Sequence, residues 1–320
     1  MKRIFMYVLA GSSLLSCGQE KKKVDRPSPS SVPELYKSVK FLDHNTNYRA
    51  NISMGACNFT LLVNDVPVAH YFEESDGTFT TTAPINNVIL KSGQQTYKLI
   101  LHPGYTDGKP AKALSENVTV DITIEGFSYN GSAIKEVGTR ISLVSLSARQ
   151  KNFKQAGQPL AVFEGVFTLE VPYQLTGWSE SQDLRKENPA QLLKDILSSY
   201  KEYSDILTSR DSVRLSNLVY QKEKDYAQAL FLDRAGTQKQ WDTYRAILNA
   251  KKLKMEPLEN YQLKFYGNGR MVTLERTDYP FIGQPALRAD VTNAQGEQYI
   301  EYYMNYFHKK QGSDHLELIR

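Results

Sequence analysis

Apolar side chains recur at every second position through much of the chain between residues 48 and 178. Cys57, Phe59, Leu61 and Val63 fall on one face of such a run. Tyr97, Leu99 and Leu101 alternate with Lys98, Ile100 and His102, and Val118, Val120, Ile122 and Ile124 alternate with Thr119, Asp121 and Thr123. A period of two sends successive side chains to opposite faces, so each run predicts a strand with one buried face. Asn64-Asp65 separates residues 59–63 from 66–72 and predicts a hairpin, with Pro67 placing the second arm at a sheet edge. Further apolar runs at 141–146 and 163–171 bring the total to six or seven strands, spaced by Gly, Pro and Asn. That spacing predicts an antiparallel β-sandwich, Ig-like or jelly-roll.

After Gly177-Trp178 the period lengthens to that of helices. Asn188-Pro189-Ala190-Gln191 supplies an N-cap, a first-turn proline and a capping-box glutamine, followed by Leu192, Leu193, Ile196, Leu197, Tyr200, Tyr203 and Leu207. A second helix is predicted over about 211–234, stopped by Gly236, and a third from the capping box Thr237-Gln238-Lys239-Gln240, carrying Trp241, Tyr244 and Leu248. Strands then return. Residues 263–266 and 271–274 flank Gly267-Asn268-Gly269-Arg270, whose Asn-Gly pair signals a hairpin. Residues 287–291, a long strand over 298–308, and residues 316–319 follow. About three helices and a four- to five-stranded antiparallel sheet predict an α+β domain.

The first residues obey neither rhythm. Lys2 and Arg3 precede an apolar run from Ile4 to Leu15, too short for the ~20 residues a membrane-spanning helix needs, so the run reads as an export signal. The stretch Leu14-Leu15-Ser16-Cys17 resembles the lipobox of bacterial lipoproteins. The resemblance implies cleavage before Cys17, lipidation (palmitate included) of its thiol, and anchoring at the cell envelope, at the outer membrane. Loss of Lys2 and Arg3 lowers the formal charge from +4 to +2, which leaves no basic surface for nucleic acid. Residues 18–33 hold three prolines and almost nothing apolar, which reads as a tether. The expected division is therefore a signal peptide at 1–16, a tether at 17–33, a β-sandwich domain at 34–182 and an α+β domain at 183–320.

The run LLVNDVPVAHYF, followed by INNVILKSGQQTYKLILHPG, is similar to galactose-binding-like jelly-roll domains over residues 59–104. The likeness makes the aromatics Tyr71, Phe72, Tyr105 and Trp178 candidates for stacking on a sugar. The helix-then-meander order after residue 183 is similar to the cone-shaped fold of the nuclear transport factor type, in which helices cap a bent sheet around a pocket. Arg288, Asp290, Glu301 and Tyr303 would line such a pocket if the mixed polar and aromatic faces of their two strands coincide.

Motifs of catalysis are lacking: there is no His-Glu-x-x-His, Cys-x-x-Cys, Gly-x-Ser-x-Gly or phosphate-cradling glycine loop, and the five histidines stand apart. No catalytic residue, metal site or cofactor is implied. Lipidation of Cys17 leaves Cys57 without an intramolecular partner, as a buried thiol in the sandwich core. The leading expectation is a non-catalytic, lipid-tethered protein that binds an envelope or secreted protein. A carbohydrate-binding module comes second, and a small-ligand pocket or enzyme in the α+β domain third.

Overall fold

A computed structural model describes residues 31–41, 45–74, 77–130, 133–146 and 153–320. The predicted signal segment, Cys17 and the predicted tether up to Ser30 lie outside the described residues.

Eight strands build the sandwich: β1 (Thr46–Gly55), β2 (Cys57–Val63), β3 (Val66–Tyr71), β4 (Thr78–Pro84), β5 (Lys91–Pro103), β8 (Thr119–Asn130), β9 (Ala133–Leu146) and β10 (Ala161–Gln174). A small hairpin, β6 (Tyr105–Thr106) with β7 (Lys109–Pro110), interrupts the run. One sheet is ordered β4-β1-β8-β9 and the other β10-β5-β2-β3, with every pairing antiparallel. The predicted hairpin turn forms, with Asn64 and Asp65 both in the left-handed region at φ 51° and 60°, as the twist of the flanking strands requires. Side chains of alternating parity fill the space between the sheets: Ala50, Ile52 and Met54; Cys57, Phe59, Leu61 and Val63; Leu99 and Leu101; Val120, Ile122 and Ile124. Cys57 is buried there, and burial pushes its thiol up to about 12, so it packs as a small hydrophobe and is not a nucleophile.

The second unit holds α1 (Pro189–Thr208), α2 (Ser212–Ala229) and α3 (Arg234–Leu248), capped by Asn188, Asp211 and Asp233. The predicted end of the second helix shifts by several residues. Asp233, not Thr237, caps α3 by accepting from the Gly236 N–H at 2.8 Å, so Gly236 sits inside the first turn and does not end a helix. The strands divide between two small sheets. β11 (Lys252–Met255), β14 (Arg288–Thr292) and β15 (Gln298–Tyr302) form one, ordered β11-β14-β15. β12 (Tyr261–Tyr266), β13 (Met271–Arg276), β16 (Phe307–His308) and β17 (Glu317–Leu318) form the other, ordered β12-β13-β16-β17. The long strand predicted over 298–308 is therefore broken. The Tyr303 N–H donates to Leu287 O at 2.9 Å and the Tyr306 N–H to Arg320 O at 2.7 Å, so residues 303–306 cross from one sheet to the other.

A 3-10 turn at Pro33–Ser38 precedes the sandwich in sequence but packs elsewhere. Val32, Leu35 and Val39 are buried in the core of the helical unit, the Thr237 hydroxyl donates to Pro33 O at 2.7 Å, and Gln228 exchanges hydrogen bonds with the Lys40 backbone. Residues 32–40 thus strap the helices and are not the opening of the sandwich. Burying Leu35 contributes roughly 1.5–3 kcal/mol.

The two units meet in a largely apolar junction. Phe231, Tyr266, Met271, Tyr306 and Ile319 of the second unit belong to the sandwich's own core cluster. The turn at Asp65 accepts from Gly267 N at 2.9 Å and from Asn268 N at 2.7 Å. Gly267 is required: its φ is +60°, and a Cβ there would lie 2.6 Å from the Trp178 ring. The stretch that joins the units is held throughout. Ser181 Oγ meets His308 Nδ1 at 2.6 Å, Gln182 N donates to Lys309 O at 2.9 Å, and Leu184 N donates to Gly269 O at 2.9 Å.

Candidate functional site

The register of the β14-β15 pair decides which predicted pocket residues can meet. Ala289 stands opposite Glu301, whereas Arg288 stands opposite Tyr302 and Asp290 opposite Ile300. Directly opposed residues share a face, so Glu301 lies on the face of buried Ala289, toward the helices, and Arg288 and Asp290 lie on the other. The four residues therefore do not line one pocket. Arg288 pairs with Glu256 and stacks 4.6 Å from the centre of the Phe281 ring. Glu301 and Tyr303 do line a cavity together.

That cavity, about 310 Å³, opens among α1, α2, α3 and residues 301–305. α1 contributes Tyr203 and Leu207; α2 contributes Lys222, Glu223 and Tyr226; α3 contributes Gln240, Thr243, Tyr244 and Ile247. The crossing segment supplies the opposite wall, with Tyr303, Met304 and Asn305 turned in because the strand breaks after Tyr302. Tyr200 fixes this wall from α1: its hydroxyl accepts from Leu274 N at 3.0 Å and donates to Asn305 O at 3.3 Å.

Glu223 is the unexpected member. It is 4% exposed and falls on the apolar stripe of α2, in line with Leu215, Val219 and Ala227. Its Oε1 accepts from the Tyr244 hydroxyl at 2.6 Å and lies 3.6 Å from Lys222 Nζ, which also reaches the Tyr244 oxygen at 3.1 Å. Its Oε2 is buried with no partner, as are the Tyr303 hydroxyl and Asn305 Nδ2. Nine buried side-chain polar atoms among the described residues lack a partner, and three of them belong to residues that line this one cavity. Buried polar groups are almost always matched, which sets this cavity apart. A larger cleft of about 600 Å³, flanked by Lys40, Lys91 and Lys224, has no such atom.

Electrostatics are consistent with a site built on acceptors. Burial raises the Glu301 carboxyl above its ordinary 4.5. Burial first, then the carboxylates of Glu223 and Glu301, hold the Tyr203 phenol above its ordinary 10; burial, then Tyr203 and Glu301, do the same for Tyr303, and burial, then Glu223, for Tyr244. All three phenols therefore keep their protons near neutral pH.

The four aromatics marked for sugar stacking do not form a platform. Trp178 and Tyr105 are buried. Trp178 lies under Gly267, and Tyr105 stacks on Tyr279 at 4.8 Å across the junction. Tyr71 stacks on Phe79 at 4.2 Å, and Phe72 packs against His102 at 5.0 Å. Among the described residues, no cluster of three or more His, Cys, Asp or Glu side chains could hold a metal ion, and no helix is long and apolar enough to cross a membrane.

One signal in the sequence could have found the site. A glutamate four residues from apolar neighbours on both sides of an amphipathic stripe marks a charge placed in a core position. The chain matches no family model, no curated protein and no solved structure, so its cavity stands on its own geometry.

Proposed function

We propose that this chain is a non-catalytic, lipid-tethered binding protein of the cell envelope, anchored through Cys17 and holding a small polar ligand in the cavity roofed by α2 and α3. The observation that supports the reading is that three residues lining one cavity, Glu223, Tyr303 and Asn305, each carry a buried and unmatched polar atom: Oε2, the hydroxyl and Nδ2. An unmatched buried polar group costs roughly 1–3 kcal/mol, and a ligand met by a turn of these side chains into the cavity removes that cost on binding. Such a pocket, largely preformed and lined by aromatics with a few polar groups, suits recognition of a small molecule.

Native mass spectrometry of the mature chain, with a thermal-shift screen of small polar metabolites, tests the reading. A ligand whose binding is lost in Glu223→Gln or Asn305→Leu supports it. Absence of any binder, or binding indifferent to both changes, refutes it.

A second reading, docking of an envelope or secreted protein, is supported by a different surface. Leu160, just ahead of β10, and Val162 and Val166 within it are exposed, and β10 is an edge strand; an exposed apolar edge is a template for association. The double change V162K/V166K should abolish any complex isolated from native envelopes and leave small-ligand binding intact.

A further inference from the structure

The charged side chains lining the cavity are Lys222, Glu223 and Glu301, two anions and one cation. The cation is spent on one side. Lys222 Nζ sits by Glu223 Oε1 and the Tyr244 hydroxyl, while Glu223 Oε2 is unmatched and Glu301 has no ion-pair partner among the described residues. Both carboxylates act on the Tyr203 phenol, whose ring lies 5.6 Å from that of Tyr303. Excess negative charge thus converges where electron-rich rings also gather, the arrangement that attracts an organic cation. Resting on the small-ligand reading above, we propose that the cavity takes a small hydroxylated ammonium compound of the amino-alcohol or amino-sugar type.

The donor and acceptor pattern supplies the second half of that identity. Glu223 Oε2 and Glu301 accept only, Asn305 Nδ2 donates only, and the Tyr303 hydroxyl does either. An ammonium group satisfies the carboxylates but cannot accept from Asn305. A hydroxyl beside it can. A neutral polyol would match the hydrogen bonds and leave the surplus charge uncompensated in a partly desolvated site, where compensation matters most. The volume of about 310 Å³ equals that of about ten waters at ~30 Å³ each, enough for a hexosamine or anything smaller.

Calorimetric titration of the mature chain with two matched pairs, ethanolamine against ethylene glycol and glucosamine against glucose, separates charge from shape. In at least one pair the amine binds roughly tenfold to a hundredfold tighter than its neutral partner, the fold-change of one charge-assisted hydrogen bond. Glu301→Gln reduces amine binding roughly tenfold and leaves the neutral partner unaffected. Glu301 is partly exposed and has no ion pair among the described residues, so this variant reads binding with little effect on the fold. A neutral partner that binds as tightly as its amine overturns the ammonium assignment and leaves the small-ligand reading standing. Failure of both amines to bind overturns the assignment as well, and the metabolite screen then decides the broader reading by itself.

Discussion

Replacing Glu223 by glutamine separates a group held for binding from one held for stability. The carboxylate is 4% exposed, with one oxygen bonded to Tyr244 and the other unmatched. Neutralising it removes most of the desolvation cost of the unmatched oxygen, roughly 1–3 kcal/mol, although the new amide still lacks one partner. Against this stands the lost attraction to Lys222 Nζ at 3.6 Å. Lys222 keeps 23% of its side-chain surface exposed against 4% for Glu223, so the lost attraction is that of a half-buried charged contact, about 1–2 kcal/mol. The balance lies between a loss of about 1 kcal/mol and a gain of about 2 kcal/mol, at ~3 °C in Tm per kcal/mol for a chain of this size. The assay is a reversible denaturant or thermal melt of the ligand-free protein, with ligand titration run in parallel. Stability within that range, together with weakened binding, is the expected pair of results. A loss above about 1.5 kcal/mol, comparable to breaking a well-matched charged hydrogen bond, would show that Glu223 supports the fold and would refute the site.

Three further outcomes are open to measurement. Ammonium binding should weaken as pH falls through the range in which Glu301 takes up its proton, which burial places above the ordinary 4.5, while neighbouring Tyr203, Tyr244 and Tyr303 stay protonated throughout; a titration flat from neutral down to that range speaks against Glu301 as a contact. Limited proteolysis should spare residues 179–186, because Ser181, Gln182 and Leu184 are hydrogen-bonded to the second unit, and fragments divided near residue 184 should not fold separately; early cleavage there would mean that the junction opens readily. Cys17→Ser should abolish fatty-acid labelling of the chain, and persistent labelling would remove the lipid anchor from the account.

Sequence pattern carried the strands of the sandwich wherever apolar residues alternate, as in Leu99 and Leu101 or Val120, Ile122 and Ile124, because inward parity is fixed by the pleat. It did not carry β4, whose residues Thr78–Pro84 are mostly exposed at a sheet edge and need no apolar alternation. The helix cap at Asn188 and the start of the second helix near Asp211 are legible from local chemistry. The third cap is not legible in this way: Thr237-x-x-Gln240 makes the same local signal as Asp233, and in the fold Thr237 lies inside α3 with its hydroxyl bonded to Pro33 O. Half of the pocket was visible: Glu301 and Tyr303 are in the cavity, but which face Arg288 and Asp290 share depends on a one-residue register that periodicity alone cannot set. Trp178 looked like a loop aromatic, since nothing local announces that Gly267, far along the chain, is shaped to receive it.

The strap at residues 32–40 bears on the order in which the protein assembles. Its anchor points, Gln228 and Thr237, lie 188 and 204 residues downstream of Lys40 and Pro33. A chain that emerges with its amino end first must keep Leu35 and Val39 waiting while the sandwich strands pair and the helices are delivered. Contacts of such long sequence separation close late, because the loop they define has to be brought together first. Seating the strap is therefore among the last events of folding. A force applied to the chain ahead of residue 32 would fall first on Gln228 of α2 and Thr237 of α3, the helices that roof the cavity.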